Sequence, residues 1–179
     1  MRIERGYVVV SGAPGAGKST LTAPLARRLG LPLIAKDMLK ESLYDHIPPG
    51  ADPAAWSKVL GGAAMELLWM LAGAAPAAML EANFRPRSAY ERDKLKALSG
   101  PLVEVYCRCP PALAAERYAQ RHARGERHPT HPLSELPPDL LAEFDQPIAL
   151  GPVVEADTTA PVDIEALALR VLAAFTATV

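Results

Sequence analysis

The sequence predicts an α/β fold in which about five parallel strands form one sheet with helices on both faces. Three observations carry this. Short apolar runs alternate with longer stretches of helical spacing along the chain, and that alternation builds right-handed crossovers and a parallel sheet. The first such run leads directly into a glycine-rich turn that opens a helix. Half of the 179 residues are apolar and 22% are charged, a balance that supplies a core for a unit of this length. One domain over residues 1–179 is expected.

The elements follow in order. Tyr7–Val10 is a β-branched run ending at Ser11-Gly12, and Gly17–Leu29 has helical spacing. Pro24 falls inside that helix, where the missing amide implies a kink or distortion. Leu33–Ala35 reads as a second strand ending at Lys36-Asp37, with a helix over Met38–Asp45. Trp56–Leu71 is helical, and Ala77–Ala82 is a third strand ending at Asn83. The apolar run from Val59 to Leu80 contains Gly61, Gly62, Glu66, Gly73 and Pro76 and has no aromatic or basic belt. It therefore reads as a buried helix turning into a buried strand, not as a membrane span. Ser88–Leu98 is helical, Leu102–Cys107 is a fourth strand, and Pro111 opens a helix to about Gly125. Val153–Ala156 and Val162–Ala174 supply the last strand and helix. The 18 prolines, twice the usual share of about 5%, mostly mark joints between elements. Five of them, Pro129, Pro132, Pro137, Pro138 and Pro147, crowd one irregular stretch. Together with the helix before it, this stretch predicts a lid at about 112–147.

Composition narrows the function classes. A net charge of −1 advertises no polyanionic partner. A mutual disulfide between Cys107 and Cys109, two residues apart in an extended run, is not expected, and two thiols cannot complete a zinc site. His128 and His131 have no carboxylate or thiol at metal spacing. The amino terminus carries no apolar signal core, which points to a soluble, cytoplasmic protein without membrane contact.

Gly12-Ala13-Pro14-Gly15-Ala16-Gly17-Lys18-Ser19 satisfies G-x-x-x-x-G-K-[ST] between a strand and a helix, and Thr20 continues the turn. Glycines let backbone amides converge on phosphate oxygens, and the helix amino terminus adds partial positive charge. Lys18 reaches the β- and γ-phosphates, and Ser19 offers magnesium a hard oxygen. The expected architecture is thus the three-layer P-loop NTPase fold with a helical lid. The expected cofactors are ATP and Mg, because the guanine signature N-K-x-D is absent from the chain.

A phosphotransferase needs a base, cations over the moving phosphoryl group and an acid near the metal. Asp37 stands where the acceptor pocket of a parallel sheet opens, and suits the base; it equally suits a helix cap. Lys36 and Lys40 flank it, placed to hold an anionic acceptor or to tune Asp37 downward. Glu81 ends the third strand as the acid supporting magnesium. Asn83, Arg85 and Arg87 point to the same cleft, or are surface polarity after a strand. Arg117, Arg121 and Arg124 share one helical face, as phosphate clamps or as a solvated basic face. Arg127 follows them.

Taken together, Gly12–Thr20, Asp37, Glu81-Ala82-Asn83 and Arg117-x-x-x-Arg121 with Arg127-His128-Pro129 resemble the small P-loop kinases of the AAA_33 type. That group is similar to chloramphenicol phosphotransferase and to the kinase domain of polynucleotide kinase. The resemblance implies Asp37, Lys18, Arg117 and Arg121 as catalytic residues, with Asp157 and Thr158 beside the adenine. It implies Asp37, Lys40, Asn83, Arg85 and Arg127 around the acceptor, and Ser19 and Glu81 near the metal. The function it implies is transfer of the γ-phosphoryl of ATP to a hydroxyl of a small molecule, antibiotic, sugar or nucleoside-like. The alternatives are a 5′-hydroxyl polynucleotide kinase, with nucleic acid as partner, or an ATP-binding regulatory or toxin-like protein without small-molecule turnover. In polynucleotide kinases a basic residue three positions after the base helps read a nucleic-acid phosphate, and Lys40 stands there.

Overall fold

Five parallel strands, in the order β2-β3-β1-β4-β5, make the sheet of the computed structural model, which describes residues 3–178. The strands are β1 (Gly6–Ser11), β2 (Leu33–Ala35), β3 (Ala77–Glu81), β4 (Leu102–Arg108) and β5 (Val153–Asp157). The helices are α1 (Lys18–Leu29), α2 (Lys36–His46), α3 (Pro53–Ala74), α4 (Ala89–Lys96), α5 (Pro111–Ala123), α6 (Pro138–Ala142) and α7 (Ile164–Thr176). The expected three-layer α/β fold is what forms.

Successive residues of β1 feed opposite layers, as a period of two requires. Val8 and Val10 join Leu21, Leu25 and Leu29 of α1 and Leu167, Val171 and Phe175 of α7. Tyr7 and Val9 join Leu68, Trp69 and Ala72 of α3 and Leu95 of α4. All of β1 is therefore buried, which is why it reads as a continuous apolar run. Register then sets the site. Ala35 lies opposite Glu81, Val10 opposite Glu81 and Ser11 opposite Tyr106, so β1, β2 and β3 end at one level.

Local chemistry accounts for where the elements differ from expectation. α3 starts at Pro53 because the Asp52 carboxylate accepts hydrogen bonds from the amides of Ala54 (2.9 Å) and Ala55 (3.2 Å), with proline at a tolerated first position. Its far end is held by the Tyr7 hydroxyl, which donates to the carbonyls of Ala72 and Ala75. α1 continues past Pro24 to Leu29. The proline-rich stretch contains the short helix α6, opened by Pro137-Pro138. Leu136 and Leu141 of this stretch pack on Ala114 and Tyr118 of α5, and Tyr106 donates its hydroxyl proton to the Phe144 carbonyl at 3.0 Å. Among the described residues no helix is long and apolar enough to cross a membrane.

One buried acid holds the sheet to the chain entering β5. Glu104 of β4 is fully buried and accepts from Ser11 Oγ (2.5 Å), Ile148 N (2.9 Å) and Ala149 N (2.8 Å). Ala149 has a φ of 53°, a left-handed conformation that costs a non-glycine residue about 1–2 kcal/mol. The two-amide grip of Glu104 keeps it there. Replacing Glu104 by Leu should therefore destabilise the protein by about 2–4 kcal/mol, since three donors, two of them buried, lose their acceptor. Urea unfolding checks this, and Glu104→Gln should lose less.

Candidate active site

The turn between β1 and α1 is pressed against its surroundings. Gly15 has a φ of 81°, and a Cβ there would stand 2.1 Å from the Ala114 carbonyl oxygen. Gly12, at φ 129°, would put a Cβ 2.8 Å from the carbonyl of Cys107. The loop therefore rests on the first turn of α5 and on β4. Burial pushes the Cys107 thiol up to about 12, so it stays protonated behind the loop.

Lys18 is only 5% exposed. Its ammonium donates to the carbonyls of Gly12 (2.8 Å) and Ala13 (2.9 Å) and to Asn83 Oδ1 (2.6 Å). Burial holds its pKa below the usual lysine value, with Glu81 the strongest counterweight. Glu81 lies at the end of β3, 5% exposed; burial raises its carboxyl, and Lys18 opposes that rise. Ser19 and Thr20 are exposed in the first turn of α1. Asn83 is thus committed to Lys18.

Asp37 stands in the first turn of α2, whose cap position is Ala35, and no side chain caps that helix. Its carboxylate instead pairs with Lys36 Nζ at 3.0 Å. Burial raises the Asp37 carboxyl, but Lys36, His131 and Lys18 together hold it below its ordinary value of 3.8. Lys40, one turn on, is 6% exposed and donates to Ser57 Oγ (2.8 Å) and to the Thr130 carbonyl (2.9 Å). Burial, reinforced by Lys36, brings its pKa down to about 8. The segment after α5 is thereby moored to α2 and α3. His131 Nε2 meets Glu41 Oε1 at 3.1 Å, His128 Nε2 meets Asp45 Oδ1 at 3.1 Å, and Tyr44 meets the His128 ring edge-on.

The arginines divide sharply. Arg117 donates to the carbonyls of Thr158 (2.7 Å) and Thr159 (3.0 Å). Asp157 accepts from the amide and hydroxyl of Thr159 and pairs with Arg108. Thr158 comes within 3.7 Å of where a Gly17 Cβ would be, so this loop flanks the cradle. Arg85 pairs with Glu143 (2.5 Å) and Glu91 (3.7 Å), and Arg87 with Asp145 (2.9 Å). Arg124 pairs with Glu126 at 3.8 Å. Arg121 and Arg127 have no such partner among the described residues, and Arg127 lies over the Tyr118 ring, 3.7 Å from its centroid. The cradle, Asp37, Glu81, Arg121 and Arg127 all line one cleft of about 2060 Å³.

Several contributors escaped sequence reasoning. Glu41 lies four residues after Asp37 on the same helix face, a spacing that was readable. Glu104, the lone acid between Val103 and Val105, was also a visible signal. Ser57, Tyr118 and Thr130 carried none.

The chain belongs to the AAA_33 family, an AAA domain, whose model matches residues 8–147. It has the kinase-like P-loop fold. A candidate kinase from Chloroflexus aurantiacus J-10-fl is similar at 29% identity and a TM-score of 0.81, over 96% of this chain and 98% of that one. Shikimate kinase from Acinetobacter baumannii, in complex with shikimate, shares the fold at 20% identity and a TM-score of 0.62, over 98% and 96%. APS kinase from Mycobacterium tuberculosis, in complex with AMPPNP and APS, does so at 16% and 0.58, over 97% and 98%. No curated protein matches the sequence.

The contact between Gly15 and Ala114 yields a direct test. Gly15→Ala should lower nucleotide affinity at least tenfold, because both the positive φ and the 2.1 Å approach forbid a Cβ without moving the loop. Titration with a fluorescent ATP analogue measures it.

Proposed function

We propose that this protein is an ATP- and Mg-dependent phosphotransferase that moves the γ-phosphoryl group of ATP to a hydroxyl of a small molecule, antibiotic, sugar or nucleoside-like. The observation that carries this reading is the carboxylate of Asp37, which lines the same cleft as Lys18 and is paired with Lys36 instead of capping the α2 amides.

The residues fit the nucleotide. A loop that excludes Cβ atoms, a helix amino terminus and a buried ammonium converge on one spot, as a triphosphate requires. They fit magnesium as well. Ser19 and Glu81 offer oxygen only, and among the described residues no three His, Cys, Asp or Glu side chains cluster as a self-contained metal site. Such a metal takes its other ligands from phosphate and water. Held by Ser19 and Glu81, such an ion would supply neutralisation of the charge that develops on the phosphates.

The rest of the reaction belongs to the chain. Asp37 orients the acceptor hydroxyl and takes its proton. The acceptor oxygen bonds to the γ-phosphorus as the bond to the β,γ-bridging oxygen breaks, leaving ADP. Lys18 turns from the carbonyls of Gly12 and Ala13 to the phosphates. Arg121 meets the transferring group, and Arg117 supports the Asp157-Thr158 loop at the adenine. The stretch at about 112–147 acts as the lid. A strand-binding role is disfavoured: Lys40 is engaged by Ser57 and Thr130, and the chain carries a net charge of −1.

Asp37→Asn should reduce phosphoryl transfer by about 10²–10⁴-fold and leave ATP affinity close to wild type, as measured with labelled ATP and by calorimetry. The acid limb of kcat/KM should follow the same residue. Asp37 ionises below 3.8, so its contribution is complete above that pH and is lost as pH falls through the lowered value. Lys36→Met removes the strongest lowering charge and should move the acid limb to higher pH.

A further inference from the structure

We propose that the phosphoryl acceptor itself carries an oxyanion, a carboxylate or a phosphate monoester, and that Arg127 grips it; this rests on the phosphotransferase reading above.

Arg127 is the unmatched charge of the acceptor side. It lines the cleft, half-buried, with its guanidinium over the Tyr118 ring. None of its five N–H donors has an acceptor among the described residues, and its Nε is shut away from solvent without a partner. Stacking on an aromatic face fixes the head group and leaves its edge for a two-pronged bond to an oxyanion.

The charges around it are already assigned. Asp37 pairs with Lys36, Glu41 with His131 and Asp45 with His128. Arg85 is taken by Glu91 and Glu143. Lys40 is hydrogen-bonded only by the neutral oxygens of Ser57 and Thr130. Asp45 lies outside the cleft lining, so with His131 neutral the lining groups of this wall are three cations, Lys36, Lys40 and Arg127, against two carboxylates, Asp37 and Glu41. This side of the cleft carries an excess positive charge in a chain whose net charge is −1. An anionic group on the acceptor supplies the missing countercharge.

Its surroundings set Arg127 toward the Asp37 side of the cleft. Arg127 is in the electrostatic field of Tyr118, Arg121, Asp37 and Glu41, and in turn acts on Lys40 and His131. The charges that bear on Lys18 in the cradle are Glu81, Cys107, Asp37 and Lys36. Arg127 thus belongs with the proton-accepting carboxylate. A hydroxyl at Asp37 and an oxyanion at Arg127 define a small hydroxy acid or sugar phosphate.

The test uses charged and uncharged partners: D-glycerate with glycerol, D-gluconate with D-glucose, and D-ribose 5-phosphate with D-ribose. Calorimetry in saturating AMPPNP and magnesium reads binding, and labelled ATP reads transfer separately. At least one anionic member should bind at least tenfold more tightly than its neutral partner. The first two pairs report a carboxylate and the third a phosphate. Arg127→Met should weaken that binding by about 10–100-fold, the loss expected for hydrogen bonds to a charged group. Arg127→Lys should recover part of it, which guards against a folding defect in the first variant. Equal binding of neutral partners, unchanged binding by Arg127→Met, or no binding by any of the six compounds overturns the proposal. So does Arg127-dependent binding of a 5′-hydroxyl oligonucleotide in their place. If the binding pattern holds and no phosphoryl group moves, the anion site stands and the phosphotransferase reading fails alone.

Discussion

The ammonium of Lys18 ties the turn after β1 to the residue just beyond β3, and much of the site's geometry is arranged around that link. A buried cation is costly unless oxygens surround it. Here two loop carbonyls and the Asn83 amide oxygen do so, with Glu81 behind them. The arrangement is available only because β1, β2 and β3 stop at one level. Moving β3 by one residue would reverse which side chains face the cleft, and both Asn83 and Glu81 would be lost to it. The sheet register is therefore also the register of the chemistry.

A second constraint governs the opposite wall. Helix α2 begins on the residue after β2, with no intervening loop, so Asp37 sits in its first turn and Glu41 one turn later. The segment after α5 is then moored against that helix by Lys40, His128 and His131. The mooring runs through hydrogen bonds to neutral oxygens and imidazoles, contacts that carry little of the apolar burial that makes a core rigid. The same segment packs Leu136 and Leu141 on α5, so its far end is held by apolar contact and its near end by polar contact.

The arginines show how position divides similar residues. Arg117, Arg121 and Arg127 come from one basic stretch, yet their partners differ completely. Arg117 is absorbed by two carbonyls of the Thr158-Thr159 loop. Arg121 is exposed at the cleft. Arg127 is turned onto Tyr118 with its donors unmet. The periodicity of four and three placed the first two on one face, and the helix ends before Arg124. Beyond it a turn, not helical spacing, decides where Arg127 goes.

Much of the fold was legible in the sequence for a physical reason: strands buried on both faces must be continuously apolar, and loops that bind phosphate must exclude Cβ atoms. Tyr7–Val10, Ala77–Glu81 and Gly12–Ser19 carry those demands in their own side chains. Asp37 and Glu81 were legible as candidates because strand ends in a parallel sheet open on the cleft. The partnerships were not. Whether Asp37 capped α2 or faced Lys36, that Asn83 serves Lys18, that Lys40 is spent on Ser57 and Thr130, and that Arg127 lacks a partner depend on groups up to 90 residues apart in the chain. Local sequence determined each element and the chemistry it carried. Only the tertiary structure decided which charges were matched, because matching depends on distances set by the packing of all three layers.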